Sequence, residues 1–254
     1  MLRYPKLVEI STYRGGAEMA IKIRRDKDVH DIDGGWFRAR WHYSFDSYRD
    51  PEYTIFGRLR VFNDDRLIPG AVWPLHPHRN IEGLTYVVEG NFGHKDDVGG
   101  AFGPLPAGSV QRMTLGSGAW HSELNASETE PMRFIQMWII PDQIGLQPGV
   151  EQKQFTTADR QNKLLRAISK DGGESVLVNG DAHIYVSRVD AGIELNYDIE
   201  AKRGIYFYVI SGAVQLNGNL LETGDNAQVT DESRISIIGV ETAEIIFVDT
   251  KIDN

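Results

Sequence analysis

The sequence contains no cysteine. Disulfide staples, thiolate-bound zinc, iron–sulfur clusters and thiol catalysis are thereby excluded. The absence also fits a reducing compartment. No run of about 18 apolar residues occurs, the length a membrane-spanning helix needs, and Met1 to Arg14 holds no apolar stretch of signal-peptide length. These absences together predict a cytoplasmic protein. Basic charge is scarce: 27 Lys and Arg stand against 36 Asp and Glu, for a net charge of −9. No block of Lys or Arg interleaved with aromatics is present, so direct nucleic-acid binding and attraction to an anionic membrane are both disfavoured.

Helical periodicity is nearly absent too. The 254 residues are 41% hydrophobic and 25% charged, an ordinary globular composition. What fills the chain is strand character. Segments 36–43, 85–89, 132–140, 183–189, 205–209 and 245–248 are short and rich in β-branched and aromatic residues. Turn-type clusters punctuate them, among them Asn63-Asp64-Asp65, Asn217-Gly218-Asn219 and Thr223-Gly224-Asp225. One short helix is predicted over residues 157–168, capped by Thr157. The charged run Lys22 to Asp28 reads as a solvated turn or face. The pattern predicts an all-β sandwich or barrel.

The chain also repeats itself. Residues 85–110 run Thr-Tyr-Val-Val-Glu-Gly and end Pro-Ala-Gly-Ser-Val. Residues 207–226 run Phe-Tyr-Val-Ile-Ser-Gly and end Glu-Thr-Gly-Asp-Asn. Each is a strand, a glycine turn, further strand and a second glycine turn, which predicts two barrels of one type in tandem. The expected division is an N-terminal barrel over 1–150 and a C-terminal barrel over 151–254, joined by a linker between Pro141 and Asp159.

The segment with most chemistry is 70–82. Side chains at i and i+2 of a strand share a face, so His76 and His78 point the same way. His121 and Glu123 form a second such pair. If the two strands meet, three imidazoles and one carboxylate converge, a mixed donor set that suits Fe, Ni, Cu, Mn or Zn without choosing among them. The remaining histidines, His30, His42, His94 and His183, lack such a partner and read as structural or surface residues. His94 could also stand behind the ligands as a supporting group.

At this point the sequence resembles a known family. Gly70-x5-His76-x-His78-x3-Glu82-x7-Gly90, followed by Pro106-x-Gly108, is similar to the two signature motifs of the cupin superfamily. The runs His76-Pro-His78-Arg79, 85–90, 110–114, Gly118-x-x-His121-Ser122-Glu123 and 136–139 resemble, more narrowly, the pirin family. The resemblance covers about residues 56–155. It implies a bicupin fold, two tandem cupin-type jelly-roll barrels, with metal in the first. Carried over by residue, the implied metal ligands are His76, His78, His121 and Glu123. Gln111 stands where other cupins carry a ligand histidine, as it does in pirins. Asn80-Ile81 replaces the usual Gly-Phe, and the bulky Trp120 precedes His121; it either narrows the pocket or faces outward.

The second repeat bears on how many ions to expect. Aligning Gly212 with Gly90 sets Asp198 and Glu200 opposite His76 and His78. Aligning Gly224 with Gly108 sets Ile237 and Gly239 opposite His121 and Glu123. No metal is therefore expected in the second barrel, whose expected job is packing against the first. The resemblance implies quercetin 2,3-dioxygenase activity on a flavonol with dioxygen. One divalent ion is expected, iron first among those above, and Glu123 is the expected general base. Phe56, Met113 and Trp138 are candidates to line an apolar pocket. Two rival readings stand beside it. One is a metal- or redox-sensing binding module acting through a protein partner; the other is a different metal-dependent enzyme.

Overall fold

The computed structural model describes residues 20–99 and 102–252. The segment Met1 to Arg14, read above for a targeting signal, lies outside the described residues. Among these residues are 22 strands, one four-residue α-helix and one 3-10 turn, so the all-β prediction holds. No helix among them is long and apolar enough to cross a membrane.

Each half pairs a seven-stranded sheet with a four-stranded one. The first large sheet runs, in spatial order, Gly149–Gln154, Ser109–Thr114, Glu82–Glu89, Met132–Ile139, Leu59–Leu67, Phe37–Trp41 and His30–Asp33. Its small partner sheet runs His76–His78, Ala119–Asn125, Asn91–Asp96 and Phe102–Pro106. The second large sheet runs Ile21–Arg24, Asn226–Val229, Arg203–Ser211, Ala243–Lys251, Ala182–Val189, Leu165–Ser169 and Val176–Leu177. Its partner runs Glu194–Asp198, Arg234–Gly239, Ala213–Leu216 and Asn219–Glu222. The repeat read in the sequence is thus a repeat of topology.

The glycine turns at its centre are required sterically. Gly90 and Gly212 both have φ +78°, and a Cβ there would sit 2.5 Å from the Pro131 carbonyl oxygen or 2.3 Å from that of Thr242. Only glycine tolerates both the left-handed backbone and the close approach.

The two large sheets pack face to face. Alternation along the strands puts Phe62, Leu84, Tyr86, Ile135 and Met137 on one side of that seam. Ile184, Val186, Tyr206, Tyr208, Ile246 and Val248 meet them from the other, in one continuous buried cluster. The opposite faces of the two large sheets line the two barrel interiors.

Several sequence readings change. Asn63-Asp64-Asp65 is no turn; it lies inside the strand Leu59–Leu67. The strand's alternation sends these polar groups to opposite faces. Asn63 and Asp65 point into the barrel, while Asp64 meets Arg133 and Tyr208 at the seam, at 2.9 Å from Arg133 Nε and 2.6 Å from the Tyr208 hydroxyl. The helix predicted over 157–168 shrinks to Thr157–Arg160, with Thr156, not Thr157, as its cap; the Thr156 N–H donates to the Asp159 carboxylate at 2.7 Å. Burial of Ala167 and Ile168 in the seam draws the rest into the strand Leu165–Ser169. The expected linker contains the strand Gly149–Gln154, which straddles residue 150 and pairs with Ser109–Thr114. The run Lys22 to Asp28 is not simply solvated. Its first part is a strand paired with Asn226–Val229, and Arg24 is buried, donating to the His42 carbonyl at 3.0 Å and stacking over Tyr53.

Candidate metal centre

The first barrel's interior is apolar at its two ends and polar between them. Leu67, Val87, Phe92 and Phe134 fill one end; Met113, Leu115 and Ala119 fill the other. The small sheet supplies the middle. His76–His78 is a three-residue strand whose Pro77 faces out, so both imidazoles face in. The strand Ala119–Asn125 pairs with it antiparallel, with His121 opposite His76 and Ala119 opposite His78. Trp120 therefore alternates outward and is 47% exposed, which decides between the two orientations left open for it.

Nitrogens of His76, His78 and His121 lie within 4.8 Å of one another. Two nitrogens sharing an ion through bonds of ~2.1 Å can be at most ~4.2 Å apart, so the triad already stands near the spacing an ion requires. Nδ1 of His76 lies 2.7 Å from the Pro74 carbonyl. That contact fixes the proton on Nδ1 and leaves Nε2 as a lone-pair donor, the usual way a ligand imidazole is oriented. His121 is 5% exposed and its Nε2 has no hydrogen-bond partner. A buried polar atom left unpaired is costly, and coordination would satisfy it. Burial lowers the basicity of all three neighbours in this wall. His78 is pushed down to about 3 by desolvation and by the charges of His121 and His76; His121 and His94 are lowered chiefly by desolvation. Neutral imidazole is the ligating form, so the electrostatics and the geometry agree.

Glu123 is on the same wall, 4% exposed, with Oε1 3.4 Å from Nδ1 of His121. It is not part of the mutually close histidine set. Burial pushes its carboxyl up, but His121, His76 and a hydrogen bond from Gln136 more than offset this, and the net direction is down. That hydrogen bond crosses the barrel: Gln136 Nε2 donates to Glu123 Oε1 at 3.0 Å. Trp138, two residues along, packs against His78 with ring centroids 4.6 Å apart. Of the other pocket candidates, Met113 is buried at the barrel end. Phe56 is elsewhere: it belongs to the seam between the halves, against Tyr206.

Two further residues join the site: Gln136, which the sequence reading had not assigned to it, and His94, which that reading had left between a structural or surface role and a supporting one. Gln136 is a polar residue on the otherwise apolar inward face of the strand Met132–Ile139, and that mismatch was the available signal. His94 lies opposite Glu123 in strand register, 2% exposed, with its ring 5.6 Å from that of His121. It is a supporting residue of the wall, not a surface histidine. Asp65, also facing inward, is pushed well above the ordinary carboxylate range by burial and by the charges of Asp64 and Glu123.

The second barrel has the same layout with other side chains. Ile237 pairs with Leu195, and Ile235 with Tyr197, so Leu195 and Tyr197 occupy the places of His76 and His78. Asp198 and Glu200 do not. Seventeen residues separate Leu195 from Gly212, against fourteen between His76 and Gly90, and that difference displaces an alignment made from the glycine turn. Asp198 is instead exposed and paired with Arg234 at 2.8 Å. Leu195, Tyr197, Val214, Ile237 and Phe247 belong to one apolar cluster that fills this barrel.

The comparisons with known proteins fall on both halves. The family model described as Pirin matches residues 23–139, and one described as Quercetinase C-terminal cupin domain matches residues 167–250. A quercetin 2,3-dioxygenase of Escherichia coli K12 is 34% identical over 230 residues, 90% of this chain and 98% of that protein. A pirin-like protein of Caulobacter vibrioides is 37% identical over 219 residues, 85% of this chain and 94% of that one. The crystal structure of bacterial pirin YhhW from Escherichia coli, in complex with nickel(II), superposes with a TM-score of 0.85 at 33% identity, covering 92% of this chain and all of that one.

Proposed function

The chain belongs to the pirin family, and from that premise we propose that it is a metal-dependent dioxygenase of the quercetin 2,3-dioxygenase type, cleaving a flavonol. The observation that carries this reading is the convergence of His76, His78 and His121 inside the first barrel, with Glu123 beside them. Relatives named quercetin 2,3-dioxygenase support the substrate class.

His76, His78 and His121 would hold one divalent ion, with Glu123 as a fourth ligand. Iron is our first assignment, and the nickel in the Escherichia coli relative makes nickel the first rival. Such an ion supplies Lewis-acid stabilisation of a phenolic oxygen that loses its proton. Glu123, kept as a carboxylate by its neighbours, accepts the proton of the flavonol 3-hydroxyl. Gln136 holds that carboxylate in place from the opposite wall. Trp138 offers a flat apolar surface beside His78 for a planar ring. We assign the metal chemistry to the half within residues 1–150 and a supporting role to 151–254.

Elemental analysis of protein purified without added metal, paired with quercetin-dependent oxygen uptake, tests the proposal. One equivalent of metal, oxygen consumption, and loss of turnover with metal retained in Glu123→Gln are the expected results. Metal-loaded protein that consumes no oxygen across a flavonol panel would remove the oxygenase reading and leave a binding module. Glu123→Gln turning over at the full rate would remove the base role alone.

A further inference from the structure

The seam face of the first large sheet carries a row of arginines. Arg38 lies directly opposite Arg66, and Arg66 directly opposite Arg133, on three adjacent antiparallel strands. Arg40 stands two residues along from Arg38. Like charges directly opposite one another destabilise a sheet, and a chain of net charge −9 has carboxylates to spare. The four arginines line a cavity of about 220 Å³ that Tyr208 and Thr223 of the second half close from the other side.

The acids nearby do not use up the row. Asp64 accepts from Arg133 Nε at 2.9 Å and Nη2 at 2.5 Å, and from the Tyr208 hydroxyl at 2.6 Å. Asp31 takes Arg38 through both oxygens, at 3.2 and 2.9 Å, and Asp26 takes Arg40 at 3.2 Å. Asp64, Asp31 and Asp26 are thus engaged by Arg133, Arg38 and Arg40, and Arg66 has no hydrogen-bonded carboxylate of its own among the described residues. Among the described residues Arg66 donates no hydrogen bond; its nearest acid is Asp64 at 3.6 Å, and its side chain is 43% exposed. The Nη1 groups of Arg38 and Arg133 are likewise uncommitted, one on each side of it.

We propose that this cavity binds a small oxyanion carrying two negative charges, a phosphoryl or dicarboxylate group, with Arg66 as its principal partner and Arg38 and Arg133 flanking it. A planar guanidinium fork matches such oxygens bidentately, and a doubly charged guest relieves the repulsion along the row. The pocket is separate from the histidine centre. It opens on the other face of the same sheet, because Asp64 and Arg66 alternate with Asn63 and Asp65 along one strand.

Thermal unfolding of the full chain is measured with inorganic phosphate, with succinate, and with sodium chloride at matched ionic strength. The expected result is a saturable rise in Tm of about 5 °C with phosphate or succinate near 100 times Kd, absent with chloride. Phosphate alone active identifies a phosphoryl ligand, and succinate alone a dicarboxylate. Arg66→Ala, which leaves no buried acid unpaired, should abolish the rise while metal content and oxygen uptake stay at wild-type values. Arg66→Gln should behave likewise. No rise beyond that of chloride, or a rise that survives both substitutions, overturns the proposal without touching the assignment of the metal centre.

Discussion

Replacing Gln136 by leucine tests whether the two walls of the first barrel act as one unit. Leucine is close in size and fits a strand, so the main loss is one hydrogen bond, from Nε2 to Glu123 Oε1 at 3.0 Å. Glu123 is 4% exposed, and water cannot readily take the donor's place. A hydrogen bond to a buried charged acceptor contributes ~1.5–3 kcal/mol. At ~1.4 kcal/mol per factor of ten, that corresponds to a loss of ~10–100-fold in metal affinity, the range found when supporting partners of metal ligands are removed. Titration of metal-free protein with nickel(II) in a calorimeter would measure it. Met137→Leu is the control. Met137 lies on the same strand but faces the seam, so its replacement should leave affinity within twofold. Affinity unchanged in Gln136→Leu, or lowered equally in the control, would show that the carboxylate is not held in this way.

His76→Ala removes an imidazole from the triad itself. Affinity should fall by more than the ~100-fold ceiling for a supporting residue, and protein purified without added metal should carry little of it by elemental analysis. His42 makes a prediction about pH. Its ring is 1% exposed, lies 2.5 Å from the Tyr206 hydroxyl, and is pushed down to about 3 by desolvation. Between pH 6.5 and 3 the unfolded chain therefore binds a proton that the folded chain refuses. Its stabilising contribution is full above about pH 6.5 and is lost as pH falls toward 3, by ~2 kcal/mol at pH 5. Urea unfolding at pH 7 and pH 5 should show that much less difference in His42→Gln; equal differences would disprove it.

The alternation of strand residues made half of the site legible in advance. His76 with His78, and His121 with Glu123, each had to share a face, and a β-rich chain without cysteine left few other ways to gather donors. The glycine turns at Gly90 and Gly212 announced the repeat because no other residue fits there. Readings failed where burial outweighed local propensity. Asn63, Asp64 and Asp65 look like a turn until Asp64's partners Arg133 and Tyr208, on two other strands, are known, and Leu165 to Ile168 look helical until the seam claims Ala167 and Ile168.

Residue pattern alone determined the β class, the tandem repeat and the two same-face pairs, His76 with His78 and His121 with Glu123, because those depend on neighbours one to a few positions apart. Which strands lie side by side is decided by long-range pairing and the closing of two sheets on each other. That tertiary step set His121 opposite His76, brought Gln136 across to Glu123 and His94 into the wall, and turned Phe56 toward the seam. It also set Leu195 and Tyr197, in place of Asp198 and Glu200, at the corresponding positions of the second barrel, a distinction that rests on register.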